Sequence, residues 1–199
     1  MKKEQKQILA AAVALFAHKG IKGVSVDEIV RSCDLPKRSF YVYFDGKESL
    51  VHTIICHWIE KSEKYLSLNS YVASNAISEL NNFFQSMESI AHYIQPVFFQ
   101  ELRKYYTTSW EYLESFREAS LIPFLVLNIN RGLKEEIYRH NTNSLLAAKI
   151  YFAHLEMVLD EGCMPGVTPD KILHEINTFL LHGLVNLRGM KLIYEKTMT

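Results

Sequence analysis

Apolar residues recur every three or four positions along almost the whole chain, and the alternating pattern of strands joined by Asn-Gly or Asp-Gly turns is absent. The spacing predicts an all-α protein. A first helix is expected over 4–18, with Ile8, Ala12, Leu15 and Phe16 on one stripe and Gly20 closing its end. Ser25-Val26-Asp27-Glu28 has the form of a capping box, in which the Ser hydroxyl accepts a backbone N–H three residues on, so a second helix starts there. Its stripe of Val26, Ile29, Val30 and Cys33 lasts two turns before Asp34-Leu35-Pro36 interrupts it. A third short helix follows over about 37–44. After Asp45-Gly46, a long helix from Lys47 to about Leu68 carries Leu50, Val51, Ile54, Ile55, Trp58 and Ile59 on one face. Beyond it, helices are expected over about 76–94, 97–106, 110–136 with a bend at Pro123, 144–161 and 169–189.

The 199 residues hold 22 basic and 22 acidic side chains, so the chain as a whole shows no preference for a polyanion. The distribution is uneven. Residues 1–50 contain nine Lys and Arg against six Asp and Glu, which leaves the remainder slightly acidic, as expected of a nucleic-acid-binding head on a non-binding body. Cys33, Cys56 and Cys163 have neither the spacing of a zinc site nor an even count for a disulfide framework. The start of the chain carries no secretory cleavage pattern, and the longest apolar run, 121–129, is too short to span a bilayer, so a cytoplasmic protein with no membrane partner is expected.

Two short helices joined by a tight turn can place the second in the major groove while the first braces it. Phe40 and Phe44, four residues apart, are expected to pin the third helix to the core, leaving Lys37, Arg38, Ser39, Tyr41 and Tyr43 for the outer surface or its margins. Lys47 adds a cation at the start of the next helix, and Lys2, Lys3 and Lys6 are placed to form an arm along a duplex.

These residues resemble the TetR family of bacterial transcriptional regulators. The likeness runs through Ile8-x-x-Ala11-Ala12-x-x-Leu15-Phe16-x-x-x-Gly20, Ser25-Val26-x-x-Ile29 and Phe40-Tyr41-x-Tyr43-Phe44-x-x-Lys47-Glu48-x-Leu50. The resemblance implies a three-helix helix-turn-helix DNA-binding domain over 1–48, a linking fourth helix over 47–68, and a helical bundle over 49–199 that senses a ligand and dimerises. It further implies a homodimeric regulator, usually a repressor, released from double-stranded operator DNA by a small-molecule effector. Ser25, Lys37, Arg38, Ser39, Tyr41, Tyr43 and Lys47 fall at its DNA-binding positions. The chain departs from the pattern at Asp34, where Gly is usual, at Pro36, where Ser or Thr caps the recognition helix, and at Arg38, where Gly is frequent. A weaker likeness resumes from Arg131-Gly132 through Ile137-Tyr138-Arg139 to Ala148.

For dimerisation, the last long helix offers Ile172, Ile176, Phe179, Leu180, Gly183, Leu184 and Leu187, and the helix before it Leu145, Ile150, Phe152 and Met157. An effector cavity would be lined by some of His92, Tyr93, Tyr105, Tyr106, Trp110, Tyr151, His154 and Glu156. The rival readings are an enzyme and a helical protein-binding adaptor. A di-metal enzyme in a helical bundle would need Glu-x-x-His pairs, and the chain has none, nor a phosphate-binding glycine loop or nucleophile elbow. No catalytic residue, metal or cofactor is therefore expected.

Overall fold

The computed structural model describes residues 2–159 and 164–197. Its eleven α-helices among these residues are α1 (Lys3–Lys19), α2 (Val26–Ser32), α3 (Lys37–Tyr41), α4 (Lys47–Val72), α5 (Ala76–Tyr93), α6 (Pro96–Tyr105), α7 (Thr107–Phe116), α8 (Ile122–Lys134), α9 (Ser144–Val158), α10 (Pro169–Leu184) and α11 (Leu187–Thr197). A π-helical turn, Arg117–Leu121, joins α7 to α8. The only strand-like pairing among the described residues is an isolated bridge between Tyr138 and Val185. None of the described helices is long and apolar enough to cross a membrane. Cys163 and the last residues of the helix expected over 144–161 lie outside the described residues.

Helix α4 is longer than the pattern suggested, reaching Val72 and not Leu68, and it runs from the N-terminal three-helix head into the body. Of its apolar face, Leu50, Val51, Ile54, Ile55 and Ile59 are buried as expected, while Trp58 is half-buried. The bend foreseen at Pro123 takes the form of the π-turn just before it. Proline lacks the amide that would close an ordinary α-helical bond, and a widened turn accommodates its ring. The helix expected over 169–189 breaks at Val185-Asn186, a break the apolar spacing alone does not reveal. Asn186 donates its backbone N–H to the carbonyl of Ile137 and uses its side-chain oxygen to accept the amides of Arg188 and Gly189, which starts α11 afresh.

A buried polar network holds the body together where α4, α5 and α8 meet. Asn128 donates to both the Ala76 carbonyl and the Glu79 carboxylate at 2.9 Å. Arg131 reaches Glu79, Glu135 and the Ala73 carbonyl, while the Tyr138 hydroxyl donates to Asn128. Burial pushes the Tyr138 phenol far above its ordinary pKa, so it stays a donor. Gly132 makes room for the ring: a Cβ there would stand 2.1 Å from Tyr138. The second patch of family likeness thus marks one packing unit, in which Arg131, Gly132 and Tyr138 meet.

Candidate nucleic-acid interface

The head is built on a few buried apolar anchors. Ile8, Ala12 and Phe16 of α1, Ile29 of α2 and Phe40 beside α4's Leu50 are completely buried, and the Phe40 and Phe44 rings lie 5.5 Å apart. Leu15, placed on the same stripe by its spacing, is only partly buried and packs at the edge of this core. With Phe40 and Phe44 turned inward, the opposite side of α3 and the turn after it faces solvent.

Helix α2 begins and ends through local hydrogen bonding. The Ser25 hydroxyl accepts the Glu28 amide at 3.1 Å, the first half of the expected box. Glu28 is held below the usual carboxylate pKa chiefly by the Lys19 ammonium, with the Ser25 amide adding to the effect. At the other end Asp34 adopts φ 53°, the left-handed conformation that closes helices. Its amide donates to the Arg31 carbonyl and that of Leu35 to the Val30 carbonyl, completing a Schellman motif. A short polar side chain tolerates that conformation better than most, so Asp34 substitutes here for the glycine the family pattern favours. Pro36 follows as the N-cap of α3 in extended geometry and supplies no side-chain cap. The third helix is consequently short. It ends at Tyr41, although Tyr43 and Phe44 both donate back to the Phe40 carbonyl and prolong the turn.

The seven residues singled out in the sequence fall into two groups. Arg38 and Tyr41 are exposed on the outer side of α3, and Ser39 is half-buried beside them. No described residue pairs with the exposed Arg38 guanidinium. The other four are engaged with the protein itself. Ser25 caps α2, and Lys37 is paired with Asp27 at 3.1 Å, which ties the start of α3 to the start of α2. Tyr43 is half-buried and donates to Glu4 of α1 at 3.3 Å. Lys47 is drawn inward, its ammonium donating to the carbonyls of Ile21 and Val24, both at 2.9 Å. Burial lowers its pKa, and the nearby Glu101 carboxylate acts in the opposite direction. An ammonium has three donors, and two of them brace the loop between α1 and α2.

Sequence reasoning passed over two features of this surface. Val42 is 68% exposed, the variable position in Tyr-x-Tyr, and shares a face with Arg38 four residues earlier, which helical spacing from the buried Phe40 would have indicated. The second is Glu101 of α6, whose carboxylate accepts the Lys22 amide at 2.7 Å and so clasps the head to the body. The Gln95 amide adds a bond to the Ala17 carbonyl. Gly20, at φ 73°, keeps this junction tight, because a Cβ there would lie 2.7 Å from the Glu101 carboxylate. Nothing in the local sequence links positions 22 and 101. Lys3 and Lys6 are exposed residues of α1 itself, so two of the three lysines expected along a duplex lie on that helix.

Comparison with known proteins bears on this geometry. Residues 8–54 match the model of bacterial regulatory proteins of the tetR family. An uncharacterised helix-turn-helix transcriptional regulator of Bacillus subtilis, YuxN, is 39% identical over 62 residues, which cover 31% of this chain and 21% of that protein. The negative transcriptional regulator IcaR of the Staphylococcus aureus biofilm operon icaADBC is 27% identical over 77 residues, 39% of this chain and 41% of IcaR. The matched stretches thus span well under half of either relative. The likeness in fold covers nearly the whole chain. A TetR transcriptional regulator from Legionella pneumophila superposes with a TM-score of 0.74 at 20% identity, covering 92% of this chain and 98% of that one. The Bacillus subtilis regulator FadR, in complex with stearoyl-CoA, gives a TM-score of 0.66 at 16% identity over 89% of this chain and 98% of FadR. Residues 8–54 thus match the tetR family of bacterial regulatory proteins, and nearly the whole chain shares the fold of the regulators it superposes on.

Proposed function

We propose that this chain is a one-component transcriptional regulator that binds operator DNA as a homodimer through the outer side of α3 and is released by a small-molecule effector. The observation that carries the reading is the two-sidedness of α3. Phe40 is fully buried, while Arg38, Tyr41 and Val42 face solvent together on a helix–turn–helix scaffold. Arg38 has the geometry to take a guanine edge or a phosphate, Tyr41 donates to a phosphate, and Val42 suits contact with a thymine methyl. Lys37, Ser39, Tyr43, Ser25 and Lys47 set or flank this surface. We divide the chain into a reading head over 1–48 and a sensing and dimerising body over 49–199.

The dimer rests on α9 and α10. Leu146, Ile150 and Met157 of α9 and Phe179 of α10 are more than 48% exposed or close to it, an uncovered apolar face larger than scattered surface residues would make. A two-fold pair on that face would present two heads, as reading of paired half-sites requires. Repression is the favoured outcome because IcaR is a negative regulator, and a ligand-responsive body is favoured because FadR was captured with stearoyl-CoA. Of the eight residues considered as effector contacts, four are committed elsewhere: Tyr151 donates to Asn177, His92 pairs with Asp170, Glu156 with Arg117, and Tyr105 lies beneath Lys22.

Electrophoretic mobility of DNA from upstream of the chain's own reading frame tests the proposal. A discrete complex that resists excess unrelated duplex is the expected result; complexes equally removed by any duplex, or none, would favour the adaptor reading.

A further inference from the structure

A groove of about 560 Å³ lies between the end of α9 and the start of α10. Its walls are mostly apolar, with Met157, Val158, Ile172, Ile176 and Phe179 among them, and His154, Lys171 and Glu175 supply a few polar groups. That volume and lining fit a drug-sized hydrophobic molecule. His154 is the one residue of the eight weighed from the sequence that lines it. The described residues do not enclose the groove completely, and a site that buries little of its ligand binds it weakly.

Part of its lining belongs to the same face that the regulator reading assigns to dimerisation. Met157 and Phe179 are at once groove wall and exposed apolar surface, 54% and 73% exposed. Four residues beyond Phe179, about 6 Å along the helix, stands Gly183, with open space where its Cβ would be. A large projecting ring and a bare position one turn apart on a single helix form a self-complementary pair. When two copies of α10 cross about a two-fold axis near residue 181, each Phe179 meets the other's Gly183. This pattern selects a second copy of this chain as the occupant of the face.

We propose that the groove is a composite site for a neutral, largely apolar small molecule, walled by one protomer and roofed by the second copy seated on Phe179 and Gly183. The inference rests on the dimeric-regulator reading and adds to it that ligand binding and association are linked: the ligand binds the pair more tightly than the single chain, and therefore tightens the pair. Residues on α10 then carry the signal toward the head. Asp170, beside Lys171 of the groove, contacts His92 at 3.0 Å; the next residue, Tyr93, packs its ring against His18 at the end of α1, with centroids 5.5 Å apart.

The neutral dye Nile red, whose emission rises on entering an apolar site, serves as the probe for the full-length protein. Its affinity is measured across a dilution series whose monomer–dimer balance is followed by analytical ultracentrifugation. Affinity should fall at least tenfold as the pair dissociates, and Phe179→Arg, which alters an exposed side chain and should leave the helical circular dichroism unchanged, should give monomers with the same loss. Gly183→Leu, which fills the receiving position, should reproduce both effects. Equal affinity for monomer and dimer, a monomeric variant that binds the dye as well as the parent, or no saturable binding at all would each overturn the composite site. Sequence-selective DNA binding by the parent protein is scored separately, so that a regulator lacking this site is distinguished from a ligand-binding dimer that does not read DNA.

Discussion

The head and the body bury their cores by different means. In the head, short helices close over a compact set of apolar anchors, and their ends are held by local bonds: the Ser25 cap, the Schellman closure at Asp34, the Lys37–Asp27 pair. In the body, the decisive contacts are long in sequence, as where Asn128 and Arg131 reach back to Glu79 and Ala73 across about fifty residues. Local bonds leave a signature at fixed spacing, whereas distant ones do not. The head's geometry therefore rests on bonds between near neighbours in sequence, whereas in the body a buried polar network fixes the helix register.

The comparison is broken most severely at an anchor. Phe40→Ala removes a completely buried ring from the head and should cost about 3–5 kcal/mol, read as a shift of the denaturant midpoint, with DNA binding lost together with the fold. In the body, Gly132→Ala drives a methyl into the Tyr138 ring and should cost about 1–3 kcal/mol by thermal unfolding, with the head's DNA contacts unchanged at temperatures where the fold persists. Lys47→Met sharpens the boundary between the regions. Loss of two bonds to the Ile21 and Val24 carbonyls should destabilise the chain by about 1–3 kcal/mol in urea titration and weaken binding to every duplex alike. The smallest effect is expected at the turn. Asp34→Gly relieves left-handed strain but adds freedom to the unfolded chain, so the net change should stay within about 0.5 kcal/mol. A large loss there would mean that the Asp34 carboxylate has a role beyond the turn.

The same contrast explains what the sequence made legible. The helices of the head, the buried Phe40 and Phe44, and the exposure of Arg38 and Tyr41 follow from spacing, because side-chain direction on a helix is set by position. The inward turn of Lys47 does not, since its partners are carbonyls of a loop some twenty-five residues earlier. Spacing puts Lys37 and Tyr43 on the outer surface or its margins, and each also has a protein partner, Asp27 and Glu4, that only the packing of α1 and α2 brings near. The break at Asn186 was hidden because the apolar stripe continues across it, and the hydrogen bond to Ile137 that marks it is tertiary. Glu101 escaped notice for a similar reason: a lone acid on α6 has no meaning until the Lys22 amide is beside it.

The central claim is that Arg38 and Tyr41, set outward by the burial of Phe40, meet DNA directly. The most direct measurement is fluorescence anisotropy of a duplex from the chain's own upstream region, titrated at several salt concentrations with the parent protein and with Arg38→Ala/Tyr41→Ala. The account predicts that the parent's affinity falls steeply with salt and that the double variant, with unchanged circular dichroism, binds at least tenfold more weakly, with a shallower salt slope. Equal affinity and equal slope for the two proteins would contradict it.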